Sequence, residues 1–131
     1  LRTVTTRLDA AYRGSERGIG LSLSTEHVSL SIETAIPLGL VLNELVTNAF
    51  IHAFPQDRTG EILIGLRTEG KEAVLSVKDN GVGIPDTVDF EAPKSLGLEL
   101  VRILASQAGG VPSLATGPEG TEVTIRAPRL V

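Results

Sequence analysis

Apolar residues along this chain switch between a spacing of two and a spacing of three to four, and each spacing predicts an element. Leu1, Val4, Leu8 and Ala11 recur at helical intervals before "RGSERG" breaks the pattern with two glycines, which predicts a short helix and a turn. In "IGLSLST", Ile19, Leu21 and Leu23 alternate with small polar residues, the period of a half-buried strand, and "HVSLSI" repeats the alternation more weakly as a second strand. A long helix is expected from Thr34 to Phe54, where Ile36, Leu40, Leu45, Val46, Ala49, Phe50 and Ala53 recur at three and four. Pro37 then falls in the tolerant first turn, and Pro55, Gln56 and Asp57 end the helix.

"EILIGLRTEGKEAVLSVKD" reads as two strands joined through a Glu-Gly turn. Residues 80 to 94 hold Pro85, Pro93, Gly81 and Gly83 with few apolar anchors, the composition of an exposed loop. A second helix is expected from Ser95, its cap, to about Gln107, stopped by Gly109 and Gly110. "VPSLAT" and "TEVTIRAP" around "GPEG" supply a last pair of strands. The fold class implied is α+β: two layers, with helices on one face of a mixed, mainly antiparallel sheet. Residues 1 to 14 read as a tail helix and residues 15 to 131 as the domain proper.

Composition narrows the picture. With 131 residues, 41% of them hydrophobic, the chain is long enough to bury a core, and with aromatics at only 3% that core must be aliphatic. A formal charge of −4 with scattered Lys and Arg gives no footprint for nucleic acid or for a basic membrane face. No cysteine is present, which excludes thiol catalysis and thiolate metal sites. No apolar run approaches the roughly 20 residues of a membrane span, and the start lacks a signal-peptide core. Leu1 in place of Met points to a piece of something larger.

Several chemistries fail on spacing: the sequence contains no phosphate loop ending in Gly-Lys-Ser/Thr, no nucleophile elbow and no zinc helix. "GVGIPD" has two glycines of a dinucleotide fingerprint but runs into proline instead of a helix. What remains is a polar row on an apolar helix. In "LVLNELVTNAFIHAF", Glu44, Asn48 and His52 are four apart and expected on one face, with Asn43 beside them. A solvated stripe accounts for that row, and a site lined by a carboxylate and an amide is the alternative. Asp79, closing its strand before "NGVG", is likewise either an ordinary Asx turn or a placed acceptor, and Gly81 and Gly83 need only mean positive φ angles.

The joint order separates these readings. "NELVTNAFIHAF", "DNGVGIP", "SLGLELV" and "GTEVTI" in succession closely resemble the ATP-binding domain of the GHKL superfamily of gyrase, Hsp90, MutL and histidine kinases, a match spanning residues 43 to 125. The wording "AIPLGLVLNELVTNAFIHAFP" with "SLGLELVRILASQAGG" looks most like bacterial sensor histidine kinases near the HWE-related subgroup, whose tryptophan-containing glycine box is absent here. The resemblance implies a Bergerat-type α/β sandwich with ATP held between helices and loop.

It also implies roles. Asn48 takes the place of the asparagine that binds magnesium bridging the phosphates, and Glu44 that of the carboxylate acting on the nucleophile. Asp79 matches the aspartate that accepts from the adenine amino group, with Gly81 and Gly83 allowing close backbone approach. Thr121, after Gly120, matches a threonine supporting the adenine site, and Ser95, Gly97 and Leu98 lie where a helix start faces the phosphates. Many related kinases carry Lys or Arg three residues after the asparagine, where this chain has Ile51, so phosphate affinity is expected either to be low or to be supplied by Lys94 or His52.

The function so implied is transfer of the γ-phosphoryl of Mg-ATP to a histidine on a separate domain, as the catalytic part of a two-component sensor kinase. The partners implied are ATP, an upstream dimerisation and phosphoacceptor domain, a response regulator reached through it, and a homodimeric parent. Neither nucleic acid nor direct membrane contact is expected. A cytoplasmic placement is expected, compatible with a membrane-anchored parent. The acceptor histidine is not expected in this stretch, because His27 sits in a strand pattern. The alternatives are a serine kinase of the anti-sigma-factor type and, favoured by Ile51, an ATP-gated interaction module without transfer.

Overall fold

The computed structural model describes residues 18 to 56, 58 to 83 and 96 to 130. The expected tail helix over residues 1 to 14 and most of the loop from 80 to 94 lie outside them. Five strands form one sheet: β1 (Ile19–Thr25), β2 (Gly60–Glu69), β3 (Glu72–Asp79), β4 (Val111–Gly117) and β5 (Gly120–Pro128), in the order β1-β2-β3-β5-β4. β1 runs parallel to β2 and every other pair is antiparallel. Two helices, α1 (Ile32–Asn48) and α2 (Leu96–Gln107), complete the second layer, as the expected fold class requires.

The core lies between the layers. Ile62 and Ile64 of β2, Leu75 and Val77 of β3, and Val123, Ile125 and Ala127 of β5 project at period two toward Leu38, Val41, Leu42, Leu45, Val46 and Val101 of the helices. Each fully buried Val, Leu or Ile contributes about 1.5–3 kcal/mol over an exposed one. On the far face Val74 is also fully buried, between its register partners Arg67 and Arg126. Both arginines bond Glu69, at 2.8 and 3.1 Å. The exposed ion pairs themselves contribute little.

Three expectations need correction. "HVSLSI" is not a strand: the ladder ends where Glu26 donates its N–H to Leu66, and Ser31 is taken by the helix as its cap, accepting the Thr34 N–H at 3.3 Å. Because α1 therefore starts at Ile32, Pro37 lies in its second turn, where the Glu33 carbonyl loses its helical donor. Glu33 is an exposed residue. The β2–β3 turn is Gly70-Lys71, one residue later than expected, since Glu69 pairs with Glu72.

The long helix also changes character. After Asn48 it becomes a π-helical turn, Ala49–Ala53. Contrary to the sequence expectation that no run approaches a membrane span, Ile32–Ala53 is long and apolar enough by length and composition, but half of it is buried within the fold, as in a core helix. α2 stops as expected: Gly110 donates to Ala105 at 2.8 Å and Gly109 to Ser106 at 3.0 Å, a Schellman cap.

Candidate functional site

The sequence segments singled out above meet at one end of the sheet. Asp79 closes β3 with Ile62 opposite it on β2 and Thr121 opposite it on β5, and Thr121 in turn faces Thr116 on β4. Side chains at matched register share a face, and here it is the helical one, as the core residues Val77, Val123 and Leu114 two positions away show. A polar row, Asp79, Thr121 and Thr116, therefore caps an otherwise aliphatic core.

Asp79 is 8% exposed. Its Oδ1 accepts the Gly81 N–H at 2.9 Å, so the Asx turn read from sequence is present. Burial pushes its carboxyl above the ordinary aspartate range, and the backbone N–H groups of Gly81 and Thr121 and the charge of Arg58 draw it partly back. A carboxylate held against its desolvation penalty at the floor of a site is a poised acceptor.

The loop after Asp79 is clasped on two sides. Val82 donates its N–H to the Ala53 carbonyl at 3.0 Å, which joins the loop to the π turn following Asn48. A Cβ on Gly81 would overlap that carbonyl and lie 2.6 Å from the Ala53 Cβ. Gly81 is thus required by close approach to Ala53, and it has no positive φ. Gly83 does have one, +81°, and a Cβ there would overlap the Gly117 carbonyl and come within 3.2 Å of the Thr116 hydroxyl. Asn80 ties the loop to β2: its Oδ1 accepts the Glu61 N–H at 2.7 Å, and its carbonyl accepts from Arg58 Nη2 at 3.0 Å.

Glu44 and Asn48 are both half-buried, one turn apart at the end of α1, beside the point where the loop docks. His52, four residues beyond Asn48, falls in the π turn and is exposed. Asn43 and Ile51 are exposed as well. Gly97 and Leu98 fall in the first turn of α2, where backbone N–H groups lack intrahelical partners. Lys94 and Ser95 lie outside the described residues. His27, expected in a strand, is exposed and belongs to none.

The sequence reading missed Arg58, Thr116 and Ala53, which act through hydrogen bonds no local pattern announces, and gave Asn80 only as turn composition. Among the described residues no cluster of His, Cys, Asp or Glu is arranged to cage a metal.

Comparison with known proteins bears on this geometry. Residues 33–131 match the family of histidine kinase-, DNA gyrase B- and HSP90-like ATPases. The chain belongs to that family. Blue-light-activated histidine kinase 2 of Erythrobacter litoralis is 33% identical over 113 residues, which are 84% of this chain and 32% of that protein. The solved structure of the Erythrobacter litoralis EL346 blue-light activated histidine kinase superposes with a TM-score of 0.81 at 29% identity, covering 94% of this chain and 40% of that one. An anti-sigma F factor of Geobacillus stearothermophilus is 42% identical over 53 residues, 40% of this chain and 36% of that protein. The chain thus spans about a third of the length of the first of these relatives. The five-stranded mixed sheet with its helices is the family's ATPase fold, and ATP is the ligand the family implies.

Proposed function

We propose that the chain binds Mg-ATP and transfers its γ-phosphoryl group to a histidine on a separate domain, as the catalytic part of a sensor kinase. The observation that carries this reading is the buried Asp79 acceptor at the end of β3, beside a glycine loop docked onto the turn that follows Asn48.

In this reading Asp79 accepts from the adenine amino group, a charge-assisted hydrogen bond of about 1.5–3 kcal/mol. Gly81 and Gly83 let the backbone pass close to base and ribose, and the first turn of α2, with Gly97 and Leu98, offers N–H groups and a favourable dipole to the phosphates. Ser95 and Lys94 stand just ahead of that turn in sequence, with His52 as a second basic group. The donor set near the phosphates is one amide oxygen, that of Asn48, which suits an ion held chiefly by phosphate and water oxygens and fits Mg²⁺. Bound there, the ion would neutralise phosphate charge.

Glu44 accepts the proton of the attacking group. As the nucleophile's bond to the γ-phosphorus forms, the bond from that phosphorus to the bridging oxygen breaks, and ADP leaves with the electron pair. The partners of the reading are an upstream dimerisation and phosphoacceptor domain, a response regulator reached through it, and a second copy of the parent chain, with the domain in the cytoplasm.

The match to an anti-sigma F factor favours a second reading, in which the acceptor is a serine on another protein. An assay of γ-labelled ATP with helical phosphoacceptor domains, and in parallel with serine-bearing partner proteins, supplied in trans tests both. Acid-labile label on the acceptor supports the histidine reading, acid-stable label supports the serine one, and binding without any transfer sinks the kinase claim and leaves an ATP-gated interaction module.

A further inference from the structure

The polar row at the end of the sheet contains one member that the proposed reading does not use. The Thr116 Oγ1 lies 2.9 Å from the Thr121 Oγ1, and either atom is able to donate. Thr116 stands directly opposite Thr121, as Thr121 stands opposite Asp79, so the three side chains form one line across β4, β5 and β3. A Cβ at Gly83 would sit 3.2 Å from the same Thr116 hydroxyl, which places that hydroxyl under the glycine loop.

The direction of the Thr116–Thr121 hydrogen bond has a chemical consequence. A hydroxyl that accepts from its neighbour keeps its own proton free for a third group; one that donates offers only lone pairs. The edge of adenine that reaches an aspartate presents an amino donor followed by a ring nitrogen acceptor, whereas guanine presents a carbonyl acceptor followed by an N–H donor. Asp79 supplies the acceptor. The neighbouring position must supply a donor to fit adenine and to oppose guanine a second time.

We propose that Thr116 is a positioning residue for base selection: its hydroxyl donates to Thr121, so that Thr121 turns its own proton toward the ring nitrogen, directly or through one water. Asp79 and Thr121 then read the base as an acceptor and donor pair, and Thr116 fixes the polarity of the second half. The inference rests on the reading of Asp79 as the adenine acceptor.

Calorimetry of non-hydrolysable ATP and GTP analogues with the 131-residue chain tests it, using Thr116→Val, Thr116→Ser, Thr121→Val, the Thr116→Val/Thr121→Val double variant and Asp79→Asn. Loss of the positioning bond should weaken the ATP analogue roughly three- to tenfold in Thr116→Val and narrow its preference over the GTP analogue. Thr116→Ser should restore both, and the double variant should bind no more weakly than Thr121→Val alone. Wild-type affinity and preference in Thr116→Val, or additive losses in the double variant, overturn the proposal. If Asp79→Asn weakens binding while Thr116→Val does not, only this proposal falls. If neither does, the adenine reading of the site falls with it.

Discussion

The Asp79 carboxylate accepts the Gly81 N–H at 2.9 Å while its side chain is almost sealed from solvent. The residue thereby serves two ends that conflict: it closes a turn, and it keeps a charge where burial disfavours one. The sign of that conflict is open to measurement. Because the folded-state pKa is raised, the group stabilises the fold most below the ordinary aspartate pKa, and that contribution is lost as pH rises through the raised value. Asp79→Asn keeps an oxygen for Gly81 and removes the charge. Its melting temperature without nucleotide should therefore exceed the wild-type value at neutral pH and approach it on acidification. Its affinity for a non-hydrolysable ATP analogue should fall roughly 10- to 100-fold, in line with the loss of a charged acceptor. Calorimetry and thermal melts across pH check both halves, and unchanged affinity removes Asp79 from the adenine site.

Glycines at two places should respond in opposite directions to Ala. Gly120 has φ +134°, and a Cβ there would overlap the Asp79 carbonyl oxygen and lie 2.9 Å from the Asn80 Cα. Gly120→Ala should cost at least about 2 kcal/mol and displace Asp79. Gly39 lies inside α1 with nothing within 4 Å of an added Cβ, so Gly39→Ala should stabilise by about 0.5–1 kcal/mol through helix propensity. Urea unfolding distinguishes the two, and similar midpoints would deny the steric argument.

Much of the fold could be read from the sequence because its elements obey one period each. β1, the β2–β3 hairpin, the β4–β5 hairpin and α2 with its glycine stop all follow from local pattern and turn chemistry. The errors occur where a residue answers to two demands. Ser31 fits the alternation of "HVSLSI", yet its hydroxyl is worth more as the cap of α1, and the strand is lost. The α-helix expected through Ala53 gives way after Asn48 to a π turn, whose wider ring the apolar spacing does not announce. Glu44, Asn48 and Asp79 were visible as candidates, whereas Arg58 and Thr116 were not, since their relevance comes from bonds to Asn80 and Thr121 far along the chain.

Glu44 and Asn48 stand one turn apart, yet the reading gives them separable tasks. Glu44→Gln keeps the size and hydrogen-bonding capacity of the side chain and removes its basicity. Affinity for the ATP analogue should stay within about twofold of wild type, while transfer to an acceptor domain falls roughly a hundredfold or more, the share of a general base. Single-turnover transfer with labelled ATP, beside calorimetry, measures the split. Equal transfer rates would remove Glu44 from the mechanism.

Ile51 stands where the resemblance leads one to expect a basic residue, and it is 52% exposed in the π turn. Exposure makes the position tolerant, so Ile51→Lys should change stability by no more than about 0.5 kcal/mol. A lysine there reaches the phosphate end of the site only if the turn directs it so, which gives the experiment its use. With that direction, affinity for the ATP analogue should rise roughly two- to fivefold at low salt and lose the gain as salt screens it, while adenosine affinity stays constant. A rise shared by adenosine would mean that the substitution acts through packing and not through charge. No rise at any salt would mean that the π turn points residue 51 away from the phosphates, leaving the N–H groups of α2 and, in the proposed reading, an ion at Asn48 to offset their charge.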